Sequence, residues 1–207
     1  MTVPSSETSA SSDVAQRDAG SRGPAPVWTV PNQLSAIRLV MSIGVFVLVA
    51  WEFYFAALIV FVIAASTDWI DGWYARKFNQ VTQLGRVLDP FVDKIIICGT
   101  YIFLAAEPGS QIVAWMAVVV VGRELLVTAL RSFIESGGGD FSARWSGKVK
   151  MVLQCFAVSA SLWLLSWPDE PPVWLTTGTW SLAWLSVLST VESGIGYVSA
   201  AWRSLTT

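Results

Sequence analysis

The chain contains no histidine, which excludes any catalytic or metal-binding scheme built on imidazole. Its two cysteines, Cys98 and Cys155, both fall inside apolar runs. There they are expected as small core residues rather than as a disulfide or a thiolate metal site. Charge is scarce as well, at 14% Asp, Glu, Lys and Arg against about 25% in an average soluble domain. Too few charged positions remain to clothe the outer faces of a soluble helical protein. Three stretches, WEFYF (51–55), AEPGSQ (106–111) and SWPDEPPVWLTTG (166–178), lack basic residues altogether. There is no internal repeat of the parallel or inverted kind common among transporters. The formal net charge of −2 is uninformative, because both signs are concentrated on one side of the chain's apolar runs; no nucleic-acid partner is expected.

Long apolar runs fill the space that charge leaves. LSAIRLVMSIGVFVLVAWEF, FYFAALIVFVIAASTDWI, DKIIICGTYIFLAA, QIVAWMAVVVVGRELLVTAL, MVLQCFAVSASLWLLSW and TWSLAWLSVLSTVESGIGYVSAAW are six such runs. With flanking turns, each approaches the ~20 residues that a spanning helix needs. The expected fold is an all-α integral membrane bundle of six transmembrane helices. The three links without basic residues alternate with segments that carry all thirteen Lys and Arg. By the positive-inside rule the basic side is cytoplasmic, and both termini lie there. Trp163, Trp167, Trp174 and Trp180, near the ends of the fifth and sixth runs, suit interfacial anchoring. Residues 1–26 are rich in Ser, Ala, Gly and Pro without apolar periodicity. They are expected to form a disordered cytoplasmic tail, with no signal for cleavage, ahead of a membrane catalytic domain over 27–207. Pro31 and Asn32 mark the start of the first helix, with Asn32 as a candidate N-cap.

The stretch STDWIDGWYARKFNQVTQLGRVLDPFVDK (66–94) sets four aspartates at or near the ends of segments otherwise suited to lipid. Each ionised carboxylate costs roughly 2.5–3.5 kcal/mol on insertion scales. On a helix, Asp68 and Asp71 lie within ~60° of each other, and Asp89 and Asp93 within ~40°. The link between the pairs turns the chain back, so the two faces can meet. Four converging carboxylates would repel unless cations lie between them. Oxygen donors without Cys or His point to Mg²⁺ or Mn²⁺, and two ions ~3.5–4 Å apart suit phosphoryl chemistry. Gly72, Ala75 and Gly85 are small enough for close approach of helices or of a ligand. Arg76, a turn beyond Asp71, adds a forked cation suited to a diphosphate.

The pattern D-x-x-D-G-x-x-A-R, eight residues, then G-x-x-x-D-x-x-x-D runs from Asp68 to Asp93 without departure. It resembles the signature of the CDP-alcohol phosphatidyltransferases. The resemblance implies a membrane enzyme, its pocket open to the cytoplasm, that displaces CMP from a CDP-linked lipid with an alcohol. It further implies that Asp68, Asp71 and Asp89 ligate one ion, and Asp68, Asp89 and Asp93 another. Asp93 would be the general base, and Gly72, Arg76 and Thr82 would contact the CDP moiety, with Asn32 near the nucleotide. Members of the family are often dimers, so a homodimer is compatible, although no feature of this sequence marks an interface.

GRELLVTALRSF places Arg123 and Arg131 eight residues apart, about two turns and so on a similar helix face. SGKVK adds Lys148 and Lys150. Four cations beside a metal site suit an acceptor that itself carries phosphate. Lys148 and Lys150 also fit simple anchoring at a helix end, and Arg123 can pair with Glu124 instead of substrate. From about Pro31 to Trp202 the chain is similar to the bacterial phosphatidylglycerophosphate synthases of this family. The residues that carry the similarity are PNQLSAIRLV, the aspartate block, GREL with TALR, and WSGKVK. The implied substrates are CDP-diacylglycerol and glycerol-3-phosphate, and the products are phosphatidylglycerol phosphate and CMP, at the cytoplasmic face of the inner membrane. Inositol-phosphate transfer and cardiolipin synthesis are the alternatives within the same chemistry. An ion-coupled transporter is the alternative outside it, and would not need Gly72, Ala75 and Arg76 at their offsets from the aspartates.

Overall fold

The structure is a computed structural model that describes residues 30–78, 83–136 and 145–206, with side chains described over 33–67, 91–134 and 147–202. Among these residues there are six helices and no strand: α1 Val30–Ala50, α2 Tyr54–Phe78, α3 Gln83–Ala106, α4 Ala114–Ser136, α5 Trp145–Leu165 and α6 Val173–Thr206. The expected tail, residues 1–26, lies outside the described residues. Helix α1 begins at Val30, so Asn32 sits inside the first turn and not at the N-cap. Pro31 explains the earlier start, since its fixed φ suits the first turn and its missing N–H is one the helix leaves unpaired there.

Helices α1 and α5 contain segments, Gln33–Ala50 and Gly147–Leu165, long and apolar enough to cross a membrane. Helix α2 carries a shorter apolar segment, Tyr54–Thr67, and its sequence beyond that contains Asp68, Asp71, Arg76 and Lys77. In α4 the Arg123–Glu124 pair interrupts the run. Large apolar side chains cover the outside, among them Val40, Val118, Leu125, Ile195 and Trp202, each more than 60% exposed. Such a surface is in keeping with a hydrocarbon solvent.

The helices close a ring in the order α1, α2, α5, α6, α4, α3, with α3 and α5 also packed across its middle. Phe61, Tyr101, Leu104, Val120 and Leu162 fill the centre and are almost fully buried. Buried hydroxyls are satisfied locally or across helices: Thr100 donates to the Ile96 carbonyl and Thr190 to that of Ser186, each four residues back, while Tyr101 shares a 2.8 Å hydrogen bond with Ser186. Gly99 makes room for the Phe46 ring where α1 meets α3. A Cβ there would lie 2.2 Å from Cζ of Phe46, whose ring stacks on Phe103 at 5.2 Å between centroids.

One end of the bundle is tied by short-range contacts. Helix α1 stops in a Schellman turn, in which Phe53 N donates to the Leu48 carbonyl and Glu52 N to that of Val49. Glu52 takes the left-handed conformation, φ 62°, that such a turn requires. Tyr54 Oη donates to Glu107 Oε2 at 2.8 Å, joining the start of α2 to the link after α3. Ser161 of α5 donates to the Ser110 carbonyl at 2.6 Å, and Trp163 meets Trp167 and Trp174. The sequence stretch with the four aspartates lies at the opposite end.

Candidate active site

At that opposite end α3, α4 and α5 enclose a cavity of about 170 Å³, lined by Asp93, Lys94, Ile97, Glu124, Arg131, Lys150, Met151 and Gln154. Helical periodicity explains the set. Asp93 and Ile97 are four apart, as are Lys150 and Gln154, so each pair shares a face. Glu124 and Arg131 are seven apart, within ~20° after two turns, whereas Arg123 and Arg131 are eight apart and diverge by ~80°. Arg131 therefore faces the cavity together with Glu124, and Arg123 is turned towards α6.

The Arg123 guanidinium is held on that side. Its Nη1 donates to Glu124 Oε1 at 3.1 Å and its Nη2 to the Ser193 hydroxyl. The guanidinium carbon stands 5.2 Å from the centroid of the Tyr197 ring, a cation–π distance. Gly194 allows the Arg123 stem to pass, since a Cβ there would come within 3.3 Å of Arg123 Cγ. Lys150 Nζ also donates to Glu124 Oε1. One buried carboxylate oxygen thus balances two buried cations from two helices. Removing one partner from such an arrangement costs about 3–5 kcal/mol, because an uncompensated charge stays behind. Arg131 and Lys94 join Lys150 as cations on the cavity lining, and the Arg131 Nε is buried without a hydrogen-bond partner among the described residues.

Asp93 is approached from α1. Arg38 Nη1 donates to Asp93 Oδ1 at 3.1 Å, with the Arg38 side chain 2% exposed and that of Asp93 26%. Arg38, Lys94, Glu124 and Gln154 have no site role in the expectation from sequence. For Arg38 and Glu124 a usable signal was present: an ionisable residue within an apolar helix points inward unless it reaches the interface.

The other expected site residues are placed by their backbones alone. Asp68, Asp71, Gly72, Ala75 and Arg76 lie on the C-terminal part of α2, Gly85 and Asp89 on the first turns of α3, and Asn32 on the first turn of α1. Their side chains are outside the described residues, and Thr82 lies outside them entirely. Both aspartate pairs stand on continuous helix, and α2 and α3 each pack against α1 and α5. Lys148 is exposed on α5. As a donor set, four carboxylates suit a hard divalent cation. Asp93, accessible at the cavity wall, fits that use.

Comparison with known proteins gives a consistent result. A family model described as CDP-alcohol phosphatidyltransferase matches residues 28–191. The CDP-diacylglycerol–glycerol-3-phosphate 3-phosphatidyltransferase of Bacillus subtilis (strain 168) is 40% identical over 154 residues, 73% of this chain and 76% of its own. The protein of the same name from Escherichia coli (strain K12) is 32% identical over 185 residues, 86% of this chain and 97% of its own. Two crystal structures of Mycobacterium tuberculosis phosphatidylinositol phosphate synthase share the fold. The one with CDP-DAG bound aligns with a TM-score of 0.55 at 20% identity, covering 85% of this chain and 88% of that one. The one in complex with manganese and citrate gives 0.54 at 19%, covering 94% and 88%.

Proposed function

The chain belongs to the CDP-alcohol phosphatidyltransferase family, and from that premise we infer that it transfers the phosphatidyl group of CDP-diacylglycerol to sn-glycerol-3-phosphate. The products are phosphatidylglycerol phosphate and CMP. The observation that carries the choice of acceptor is the 32–40% identity to enzymes named for glycerol-3-phosphate, over most of the chain. A cavity in which Arg131 and Lys150 face Asp93 supports it. Cations at one wall suit the phosphate of the acceptor, and the carboxylate at another suits its reacting hydroxyl.

In this reading Asp93 takes the proton of the acceptor hydroxyl. The freed oxygen bonds to the lipid-side phosphorus, in line with the breaking bond to CMP, which departs with its electron pair. Gly72, Ala75 and Gly85 leave room for the CDP group, and Arg76, Thr82 and Asn32 bind it. Arg131 and Lys150 hold the acceptor phosphate directly, Arg123 acts through Glu124, and Lys148 supplies charge from the exposed face of α5. Asp68, Asp71 and Asp89 would hold one divalent ion, and Asp68, Asp89 and Asp93 a second, as Mg²⁺ or Mn²⁺. When bound, such ions supply positive charge against the diphosphate.

The same reading makes all six helices membrane spans, with both termini and the site at the cytoplasmic face of the inner membrane. The one-sided distribution of Lys and Arg supports it. It assigns residues 1–26 to a cytoplasmic tail and 27–207 to the catalytic domain, and it is compatible with a homodimer. The deciding experiment is CMP release by the purified chain with CDP-diacylglycerol and a panel of acceptors. Release with glycerol-3-phosphate and not with inositol phosphate is expected, and the reverse would overturn the assignment.

A further inference from the structure

We propose that Glu124 is a specificity-determining residue: its second carboxylate oxygen, Oε2, accepts a hydrogen bond from the hydroxyl of glycerol-3-phosphate that does not react. The proposal rests on the acceptor assigned above. Glu124 is a cavity-lining residue with its side chain 10% exposed. Its two described partners, Lys150 Nζ and Arg123 Nη1, both donate to Oε1. Among the described residues no donor reaches Oε2. A carboxylate oxygen at a low-dielectric wall is costly to leave without a donor, and this one is held in place by two cations bound to its twin.

The charges around the cavity limit what that donor is. Lys94, Arg131 and Lys150 are cationic and Asp93 and Glu124 anionic, all on the lining of one small space. A phosphate monoester with close to two negative charges has only acceptor oxygens to offer and is repelled by a carboxylate. It belongs with the cations. The groups of glycerol-3-phosphate that can donate are its two hydroxyls. The reacting one is directed to Asp93, and the secondary one remains. Two carboxylates and a group of cations thus match a molecule with two hydroxyls and one phosphate. Arg123, which faces α6, supports this by holding Glu124 rather than by touching the acceptor.

The test compares glycerol-3-phosphate with 3-hydroxypropyl phosphate, which keeps the reacting hydroxyl and the phosphate and lacks the secondary hydroxyl. CMP release is measured with the full chain in detergent or lipid. The wild type is expected to favour glycerol-3-phosphate by about 10- to 100-fold in kcat/KM, the range of a hydrogen bond to a charged group. In Glu124→Gln the amide oxygen stays on the two cations and a neutral NH₂ takes the place of Oε2, so the charge-assisted bond is lost and the preference falls, mainly through poorer use of glycerol-3-phosphate. Glu124→Asp, which keeps the charge but shortens its reach, is expected to do the same and serves if the Gln variant does not fold. Equal use of both acceptors by the wild type would overturn the inference, as would variants that lose activity on both in equal proportion. Failure of the wild type to release CMP with glycerol-3-phosphate at all would overturn the acceptor assignment as well.

Discussion

Gly99→Ala tests the link between packing and the site. The added Cβ would stand 2.2, 2.6 and 2.9 Å from three carbons of the Phe46 ring, whereas carbon atoms pack at about 3.5–4.0 Å. Retreat of the ring disturbs Phe103, which is stacked against it with 5° between planes. Relief therefore requires α1 and α3 to separate by about an ångström, or the stack to break. Overpacking of this kind costs typically about 1–3 kcal/mol. The same two helices carry Arg38 and Asp93, and Gly99 is six residues, ~9 Å along the axis, from Asp93. Widening the helix pair lengthens the 3.1 Å contact between them. The expected outcome is a fall of several degrees in the unfolding temperature in detergent, together with a lower kcat for CMP release. Adding Phe46→Leu to Gly99→Ala should restore part of both losses. A Gly99→Ala protein with unchanged melting and unchanged kcat would refute the reading that Phe46 packs onto Gly99 with no room for a methyl group.

Asp93→Asn removes the proposed proton acceptor, and kcat is expected to fall by at least about 100-fold while binding of CDP-diacylglycerol stays measurable by equilibrium titration. Retained turnover would remove the general-base role. Arg131→Ala should raise KM for glycerol-3-phosphate more than KM for CDP-diacylglycerol, and equal rises would make Arg131 structural. Chelation of divalent ions should abolish CMP release, with activity returning on addition of Mg²⁺ or Mn²⁺ but not of Ca²⁺, whose larger and looser coordination shell fits a compact carboxylate site poorly. Full activity in excess chelator would count against the aspartate site as read here.

The six apolar runs mark out the helices because a hydrogen-bonded helix is what an apolar run must become in hydrocarbon. Their ends are harder to read. Helix α1 reaches back to Val30 because Pro31 suits a first turn, and Glu52 ends it in a conformation that its side chain does not advertise. At the site, Asp93, Arg131 and Lys150 were legible from motif and spacing, and they line one cavity. The environment of Arg123 was not. Ser193 and Tyr197 are about seventy residues away along the chain, and the ~80° offset from Arg131 is easily mistaken for a shared face. The Arg38–Asp93 pair spans 55 positions, so only tertiary packing reveals it. Glu124 was visible as an acid next to Arg123, but its clamp on Lys150 depends on how α4 and α5 meet.

The stoppered end of the bundle has a bearing on the membrane as a barrier. Tyr54 to Glu107 and Ser161 to Ser110 close that end, and Phe61, Tyr101, Leu104 and Leu162 leave almost no accessible surface at the centre. A polar cavity with charges of both signs would otherwise be a conduit for protons and small ions. Plugged in this way it is a blind well. In the membrane placement proposed above, whatever enters it from the aspartate side returns to that side, and a water-soluble reactant is consumed without a path through the bundle.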